Sequence, residues 1–360
     1  MWAMVVKEFR ELRRDRRTLA LMVVVPLVLL VVFGYAARFD VDEVPTVVVG
    51  TGAEEAAEQL PDIFEVTATY PGRDRAAAVD ALVRGEAVAA VVATAQPELL
   101  LDGSELFAAQ TAIRALGAAG PVPAEGAGAG PAPKPTVLFN PNLDTSAVMV
   151  PALAGLILVF IGTVITSLGV VRERQAGTLE QLAVMPFRPR DVFVGKVAPY
   201  FLVSAIDLVV IVGVGVALFD VPFNGSVATL ALGALLFLFV TLGQGVLISS
   251  VSENQGQSIQ LAMMTVLPQV LLSGMIFPVE SMAAGVRWIA YALPLTYFVE
   301  ISRGVTLRGA PIDALWFPLA MLAVLGVVVF GLAMLRFRRQ LAPSGRRRGR
   351  HAAVGLRRAA

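Results

Sequence analysis

Long apolar runs separated by short polar stretches dominate the chain. Six runs of at least 20 residues occupy positions 18–37, 145–171, 197–219, 226–251, 258–277 and 314–335. At about 1.5 Å per residue, each run is long enough as a helix to cross a hydrocarbon layer of roughly 30 Å. The pattern predicts a polytopic α-helical membrane protein with six transmembrane helices.

The hydrophobic pattern changes between the first two runs. Short β-rich segments at 44–49, 63–70 and 87–93 alternate with helical patterns at 54–60 and 74–84. Such alternation is typical of an α/β unit, so we predict an inserted α/β domain over residues 38–144.

The end of this inserted segment has a different composition. Ten glycines or prolines fall within 117–135, which predicts a flexible linker or exposed loop. A strand at 136–140 is expected to lead back to the membrane.

Composition supports the membrane assignment and excludes several chemistries. Hydrophobic residues make up 56% of the chain, charged residues 16%, and mean hydropathy is +0.73. The chain has no cysteine, and its single histidine, His351, lies in an arginine-rich tail. We therefore expect no disulfides, no metal site and no catalytic residues, and we predict that the chain is not itself an enzyme.

Basic residues are distributed unevenly among the predicted loops. Twenty of the 29 lysines and arginines lie before the first run, between the second and third, or after the sixth. Short loops rich in Lys and Arg favour the cytoplasm, so both termini are predicted to be cytoplasmic and the α/β domain extracytoplasmic. Alternatively the first run is a cleaved signal peptide, which would leave the remaining topology unchanged. High Ala, Gly and Arg usage is typical of GC-rich bacteria, which indicates a bacterial inner membrane.

The two terminal segments are both basic. Residues 1–17 alternate apolar and basic side chains at helical spacing, which predicts an interfacial helix, with a solvated basic tail as the alternative. Residues 336–360 carry nine arginines and are expected to bind anionic membrane lipids rather than nucleic acid.

The predicted cytoplasmic loop at 172–196 contains a short amphipathic helix. Thr178 is a candidate N-cap with Gln181 three residues later, Leu179 and Leu182 share one face, and Pro186 ends the helix. Such a helix suits docking into a groove on a cytoplasmic partner, and an interfacial helix without a partner is the alternative.

Asp207 is the one charged side chain within a predicted span. It would cost roughly 2.5 to 3.5 kcal/mol at the membrane centre, so it is expected to face protein or water. We assign it to a candidate substrate path together with Gln244, Gln260 and Gln269. The alternative is a structural hydrogen bond in which Gln244 or Gln269 is the donor, worth about 0.6 to 2 kcal/mol.

The predicted outer loop at 278–313 contains an apolar stretch at 288–299 that is too short to span a membrane and is broken by Pro294. It predicts two half-helices dipping into the outer leaflet, with Glu300 and Arg303 one turn apart and able to pair. An interfacial helical hairpin is the alternative.

Five motifs occur in one order along nearly the whole chain. They are the basic opening at 7–18, Phe-Asn-Pro-Asn at 139–142 with Val-Pro-Ala at 150–152, the loop at 173–186, Leu-Ser-Gly-Met-Ile-Phe-Pro-Val-Glu at 272–280, and Pro-Leu-Thr-Tyr-Phe at 294–298. With them the sequence closely resembles the permease subunits of ABC-2 type transporters that carry a large extracytoplasmic domain after the first span.

The resemblance implies roles for two groups of residues. The loop after the second span would be the coupling helix that contacts an ATPase subunit, with Arg172, Glu173, Arg174, Gly177, Thr178, Leu179, Glu180, Gln181, Leu182 and Pro186. The outer loop would be a re-entrant gate, with Pro278, Glu280, Pro294, Tyr297, Glu300 and Arg303.

The chain has no phosphate-binding loop of its own. Gly195-Lys196 is followed by Val197, and Arg190 stands where the first glycine of such a loop is needed. We therefore expect no cofactor in this chain, and ATP and Mg²⁺ on a separate ABC ATP-binding subunit.

By the same resemblance, two permease copies, or one copy with a homologue, would export an amphipathic or hydrophobic cargo, drug-like or lipid-like, by alternating access. Export of a lipid-linked glycan or another polymer is one alternative. A membrane-anchored sensor or assembly scaffold is the alternative of a different class.

Overall fold

The computed structural model of the protein describes residues 41, 43–119, 134–176, 189–279 and 281–341. The predicted N-terminal interfacial helix and first span at 1–37 lie outside these residues. Residues 342–360 of the basic tail also lie outside them.

A five-stranded sheet forms the centre of the first described unit. The strand order is β2-β1-β3-β4-β5, and neighbouring strands are parallel except for the antiparallel pair β3 and β4. Its elements are β1 (Val44–Gly50), α1 (Ala53–Gln59), β2 (Phe64–Pro71), α2 (Arg75–Arg84), β3 (Ala89–Val92), β4 (Glu98–Asp102), α3 (Leu106–Ala119) and β5 (Lys134–Leu138).

Side chains that point alternately to the two faces of the sheet divide this unit into three layers. Val44 and Val48 of β1 pack with α1 and α3 on one face, whereas Val47 and Val49 pack with α2 on the other. Successive side chains of a strand point to opposite faces, so a run of buried valines fills both interfaces. The result is a sheet covered by helices on both sides.

Two elements here were not predicted from the sequence, and both boundaries of the predicted linker were misplaced. Strand β4 and helix α3 were not predicted, and α3 reaches Ala119 while β5 begins at Lys134. The predicted linker at 117–135 is therefore wrong at both ends, and its central residues, 120–133, lie outside the described part of the chain.

Four described helices are long and apolar enough to cross a membrane: Thr145–Arg172, Tyr200–Phe219, Val227–Val251 and Trp316–Arg336. They agree with the second, third, fourth and sixth predicted runs. They belong to α4 (Thr145–Val159) with α5 (Thr166–Gln175), α6 (Pro189–Phe219), α7 (Val227–Val251) and α11 (Trp316–Leu341).

The helix of the second run is not regular along its length. Residues Phe160–Ile165 form a π-helical segment that joins α4 to α5. Within it, a Cβ added at Gly162 would lie 2.3 Å from Thr241 Oγ1, and one at Gly245 would lie 2.6 Å from the Gly162 carbonyl oxygen. Small residues therefore let this segment and α7 approach more closely than larger side chains would allow.

Helical structure extends into both ends of the predicted cytoplasmic loop at 172–196. Helix α5 continues to Gln175, and α6 begins at Pro189 rather than at residue 197. Proline at the start of a helix costs no hydrogen bond, because the first N–H groups have no intrahelical partner.

The fifth predicted run is only partly helical. Helix α8 covers Gln255–Leu272, begins at an Asn254 side chain that accepts from the Gln257 N–H at 2.9 Å, and is not among the four candidate spans. Gly274 adopts a left-handed φ of +79° just after its end. The prediction of an unbroken helix over 258–277 is therefore wrong beyond Leu272.

Two short helices follow on either side of Pro294, as the sequence predicted. They are α9 (Ala284–Ala290) and α10 (Pro294–Arg303), and α10 runs into a π-helical turn at Gly304–Arg308. The prediction that they dip into the membrane stays a prediction.

Candidate functional site

Hydrogen bonds join the predicted inner end of α5 to the turn between α7 and α8. Arg174 donates to the Ser252 carbonyl oxygen at 2.9 Å, and Arg172 Nε donates to Gln255 Oε1 at 3.3 Å. Gln255 in turn donates to Gln175 Oε1 at 2.9 Å. This inner junction links the start of the candidate coupling loop to two further helices.

Most of the candidate coupling residues lie beyond what the structure describes. Arg172 and Arg174 are described, whereas nothing is described of the Glu173 side chain or of residues 177–188. The roles of Gly177, Thr178, Leu179, Glu180, Gln181, Leu182 and Pro186 therefore stay predictions from sequence.

A cluster of uncharged polar side chains lies among the membrane helices beside the π-helical segment. The Thr163 hydroxyl lies 3.4 Å from the Thr241 carbonyl oxygen and 3.5 Å from Gln244 Oε1. Gln269 Nε2 donates to Gln244 Oε1 at 3.4 Å and to the Thr265 carbonyl oxygen at 3.3 Å. The structure thus brings together Gln244 and Gln269 of the predicted path.

One acceptor of this polar cluster is unsatisfied. Gln269 is fully buried, and its Oε1 atom makes no hydrogen bond within the described residues. Buried polar atoms are nearly always paired, so an orphaned amide oxygen is a candidate contact for another molecule.

Asp207 and Gln260 are placed differently. Asp207 is half-buried on α6, and none of the hydrogen bonds described joins it to Gln244 or Gln269, so the suggested amide–carboxylate bond is not formed. Gln260 is half-buried on α8, and its Oε1 has no partner among the described groups. Neither belongs to the polar cluster.

The candidate gate residues pack at the predicted outer end. Pro294 begins α10, and the Tyr297 hydroxyl donates to the Tyr291 carbonyl oxygen at 2.5 Å across the break between the two short helices. Arg303 is buried, donates to the Met275 carbonyl oxygen at 3.2 Å, and lies 4.0 Å from Glu105 of the α/β domain. Pro278 is half-buried, and Glu280 lies outside the described residues.

Two further ion pairs join the α/β domain to the outer loop. Arg308 Nη1 lies 3.4 Å from Asp102 Oδ2, and Arg84 Nη1 lies 2.8 Å from Asp313 Oδ2. Beside them Leu106, Val148 and Leu307 form one apolar cluster. The domain is therefore held to the outer ends of the helices by buried apolar contacts and by ion pairs.

The exposed pair shifts the acidity of its carboxyl. The hydrogen bond from Arg84 holds the pKa of Asp313 below its usual value, and the guanidinium pKa of Arg84 is raised by the same contact with Asp313. A neighbouring opposite charge favours the ionised form of both groups.

Sequence reasoning missed several of these contact residues. Asp102 and Arg308 are 206 positions apart, so no local pattern relates them. Ser252 and Gln255 carried a usable signal, because they lie in a short polar turn between two apolar runs on the same predicted side as Arg172. Thr163 and Thr241 carried a weaker signal, because each places a hydroxyl group near the middle of an apolar run.

Comparison with known proteins places the chain in a family. Residues 16–335 match the ABC-2 family transporter protein family. The chain is 28% identical over 364 residues to the probable multidrug ABC transporter permease YbhR of Escherichia coli, which covers 95% of this chain and 99% of YbhR. It is 29% identical over 367 residues to the probable multidrug ABC transporter permease YbhS of the same organism, covering 94% and 97%.

A third relative matches over a shorter stretch. The inner membrane transport permease YhhJ of Escherichia coli is 32% identical over 213 residues, or 56% of this chain and 54% of YhhJ. The family match covers most of the sequence, including every described helix that is long and apolar enough to span a membrane. The chain therefore belongs to the ABC-2 family of transporter proteins, as its motif order indicated.

Proposed function

We propose that this chain forms the membrane path of an ATP-driven exporter for an amphipathic or hydrophobic cargo, drug-like or lipid-like. It works in a bacterial inner membrane with both termini in the cytoplasm, and ATP and Mg²⁺ bind a separate ABC subunit. The multidrug designation of the relatives YbhR and YbhS supports this cargo class.

The inner junction is the observation that carries the proposal. Arg172, Arg174 and Gln175 at the end of α5 are hydrogen-bonded to Ser252 and Gln255 between α7 and α8. A force applied by an ATPase to the loop that follows α5 would therefore act on three helices at once. Rigid elements linked in this way are the usual means by which a local push becomes a change of conformation.

The polar cluster supports a path between these same helices. Gln269 of α8, Gln244 of α7 and Thr163 of the π-helical segment converge in an otherwise apolar region. Intramembrane polar groups are costly and tend to mark substrate routes, and the orphaned Gln269 Oε1 offers an acceptor to a cargo donor. Asp207 and Gln260 flank this route in the proposal.

Burial of the spans supports assembly with a second permease chain. Only 11% of the apolar window of α6 is buried within the described chain, against 61% for α7. Large side chains such as Leu202, Val209 and Leu218 are exposed on α6. The other described helices therefore leave most of α6 uncovered, and we propose that a second copy, or a homologue, packs against it to make the pathway.

Co-expression with the cognate ATP-binding subunit tests the proposal. The two chains should co-purify, and after reconstitution a drug-like amphipath should accelerate ATP hydrolysis several-fold. A chain with Leu179→Asp and Leu182→Asp should insert normally and lose this stimulation. Stimulation only by a lipid-linked glycan would overturn the cargo class. Absence of both co-purification and stimulation would favour a sensor or scaffold.

A further inference from the structure

A cavity of about 280 Å³ lies between the α/β domain and the outer helices. Its walls come from the segments around Gly85 and Glu105 of the domain, the turn after α8, and helix α10. The two buried or nearly buried arginines of the domain interface, Arg303 and Arg308, also line it.

The charges that line the cavity favour a cation. Among the described residues of the wall, four glutamates contribute, namely Glu43, Glu86, Glu105 and Glu300, against the two arginines. Arg308 already lies 3.4 Å from Asp102, and Arg303 lies 4.0 Å from Glu105, so both guanidinium charges have carboxylates beside them. Carboxylates outnumber the cationic groups, and a cavity with low-dielectric walls focuses such a field.

Ser273 and Arg308 of the wall each have a buried polar atom without a partner within the described residues. Ser273, which is 1% exposed, has an unpaired hydroxyl, and the Nε atom of Arg308 is likewise buried and unpaired. Both can donate a hydrogen bond, so an oxygen acceptor inside the cavity would satisfy them.

The rest of the wall is apolar or aromatic. Val88, Val279 and Val299 face the cavity, and Tyr291 stands beside them with about half of its surface exposed. A tyrosine ring attracts a quaternary ammonium group through its negative face. The volume is at the low end for a ligand site, so the occupant is small or is one end of a larger molecule.

We propose that this cavity binds an organic cation that carries an apolar group and a hydrogen-bond-accepting oxygen. The cation lies toward Glu43, Glu86 and Tyr291, and the oxygen accepts from Ser273 and Arg308. This rests on the proposed function, because the cavity would then be a further cargo site at the outer end of the path.

Benzoylcholine is a suitable probe because it combines a quaternary ammonium, an ester carbonyl and a phenyl ring. Its binding to the full chain, without ATPase and in nanodiscs of zwitterionic lipid, is measured by isothermal titration calorimetry against empty nanodiscs. Neutral ethyl benzoate and anionic hippurate should each bind at least fivefold more weakly.

Matched variants locate the site. Glu43→Gln with Glu86→Gln should weaken benzoylcholine binding at least fivefold, whereas Glu54→Gln with Glu58→Gln, which removes the same charge from the exposed face of α1, should leave it unchanged. Ser273→Ala should weaken it about threefold.

The cavity proposal would be overturned by any of three results. They are no detectable binding of benzoylcholine, binding that is unaffected by the Glu43 and Glu86 changes, and binding that is weaker than that of ethyl benzoate or hippurate. If such a chain still co-purified with its ATPase and transported cargo, only this proposal would fail. Loss of ATPase assembly would instead refute the exporter itself.

Discussion

Arg308 and Asp102 form a buried ion pair between the π-helical turn of the outer loop and the last residue of β4. Arg308 Nη1 lies 3.4 Å from Asp102 Oδ2, and the two side chains are 8% and 1% exposed. The second carboxylate oxygen accepts from the Ser104 N–H at 2.8 Å. The pair therefore fixes the α/β domain to the outer ends of the membrane helices.

Removing one member of this pair should destabilise the protein. Asp102→Ala leaves the Arg308 guanidinium buried without its carboxylate, and we expect a loss of about 3 to 5 kcal/mol. Thermal unfolding followed by circular dichroism should show a lower midpoint. Asp102→Leu combined with Arg308→Leu removes both charges and should cost less than Asp102→Ala. If the double variant is instead the less stable one, the buried charge is not the cause.

The ion pair between Arg84 and Asp313 should make the stability of the protein depend on pH only at acidic pH. The folded-state pKa of Asp313 is lowered by Arg84, so the contribution is fully present above the unfolded value of about 3.9 and disappears as pH falls through the folded pKa. The melting midpoint of the wild type minus that of Asp313→Asn should be constant from pH 7 to 5 and approach zero below pH 3.

Glu98 titrates in the same range, because the hydrogen bond from Arg75 lowers its pKa. It is present in both proteins, so the subtraction cancels its effect. A difference that grows as the pH falls would contradict the assignment to Asp313. The Asp313 side chain is 63% exposed, so raising the salt concentration should shrink the difference further.

The close crossing of the π-helical segment and α7 should not tolerate larger side chains. Gly162→Ala would place a Cβ 2.3 Å from Thr241 Oγ1, and we expect a cost of about 1 to 3 kcal/mol with a lower thermal midpoint. Gly331→Ala on α11 is the control, since no atom of the described residues lies within 4 Å of its added Cβ. Equal behaviour of the two variants would mean that the crossing relaxes without cost.

The inner junction should be needed for coupling rather than for assembly. Arg174→Ala removes the donor to the Ser252 carbonyl oxygen, which lies 2.9 Å away. We expect co-purification with the ATPase to persist while cargo-stimulated hydrolysis falls about tenfold. Arg174→Lys keeps a donor and should recover part of the stimulation. If cargo still stimulated ATP hydrolysis fully in Arg174→Ala, the junction would not be what couples the ATPase to the membrane helices.

The hydrophobic periodicity and the length of the apolar runs were sufficient to predict the elements that burial of apolar side chains determines. Four apolar runs became helices of spanning length, and the valine-rich segment at Val44–Gly50 became an interior strand of the sheet, between β2 and β3. These elements form because their apolar side chains are buried against lipid or between layers of helices. That burial depends on the pattern of apolar residues within each segment, which can be read from the local sequence.

Elements decided by distant contacts or by single backbone angles were missed. The left-handed Gly274 ends α8 early, although the apolar run continues to Phe277. Helix α3 ends at Gly117-Ala118-Ala119, directly before the glycine- and proline-rich stretch, so its last turn was assigned to the linker. The ion pair of Asp102 with Arg308 and the bond of Arg174 to Ser252 join residues far apart in sequence, so only the folded chain relates them.

Orientation of the inner junction is the point on which ATP-driven transport most directly depends. The chain has no cysteine, so Ala176→Cys, an exposed residue just after α5, gives a single thiol, and Glu54→Cys on α1 gives a matched one on the α/β domain. A membrane-impermeant maleimide should label position 176 in inverted vesicles but not in right-side-out vesicles, and position 54 in the opposite pattern. Labelling of position 176 in sealed right-side-out vesicles would place the junction outside, where no ATPase can act on it.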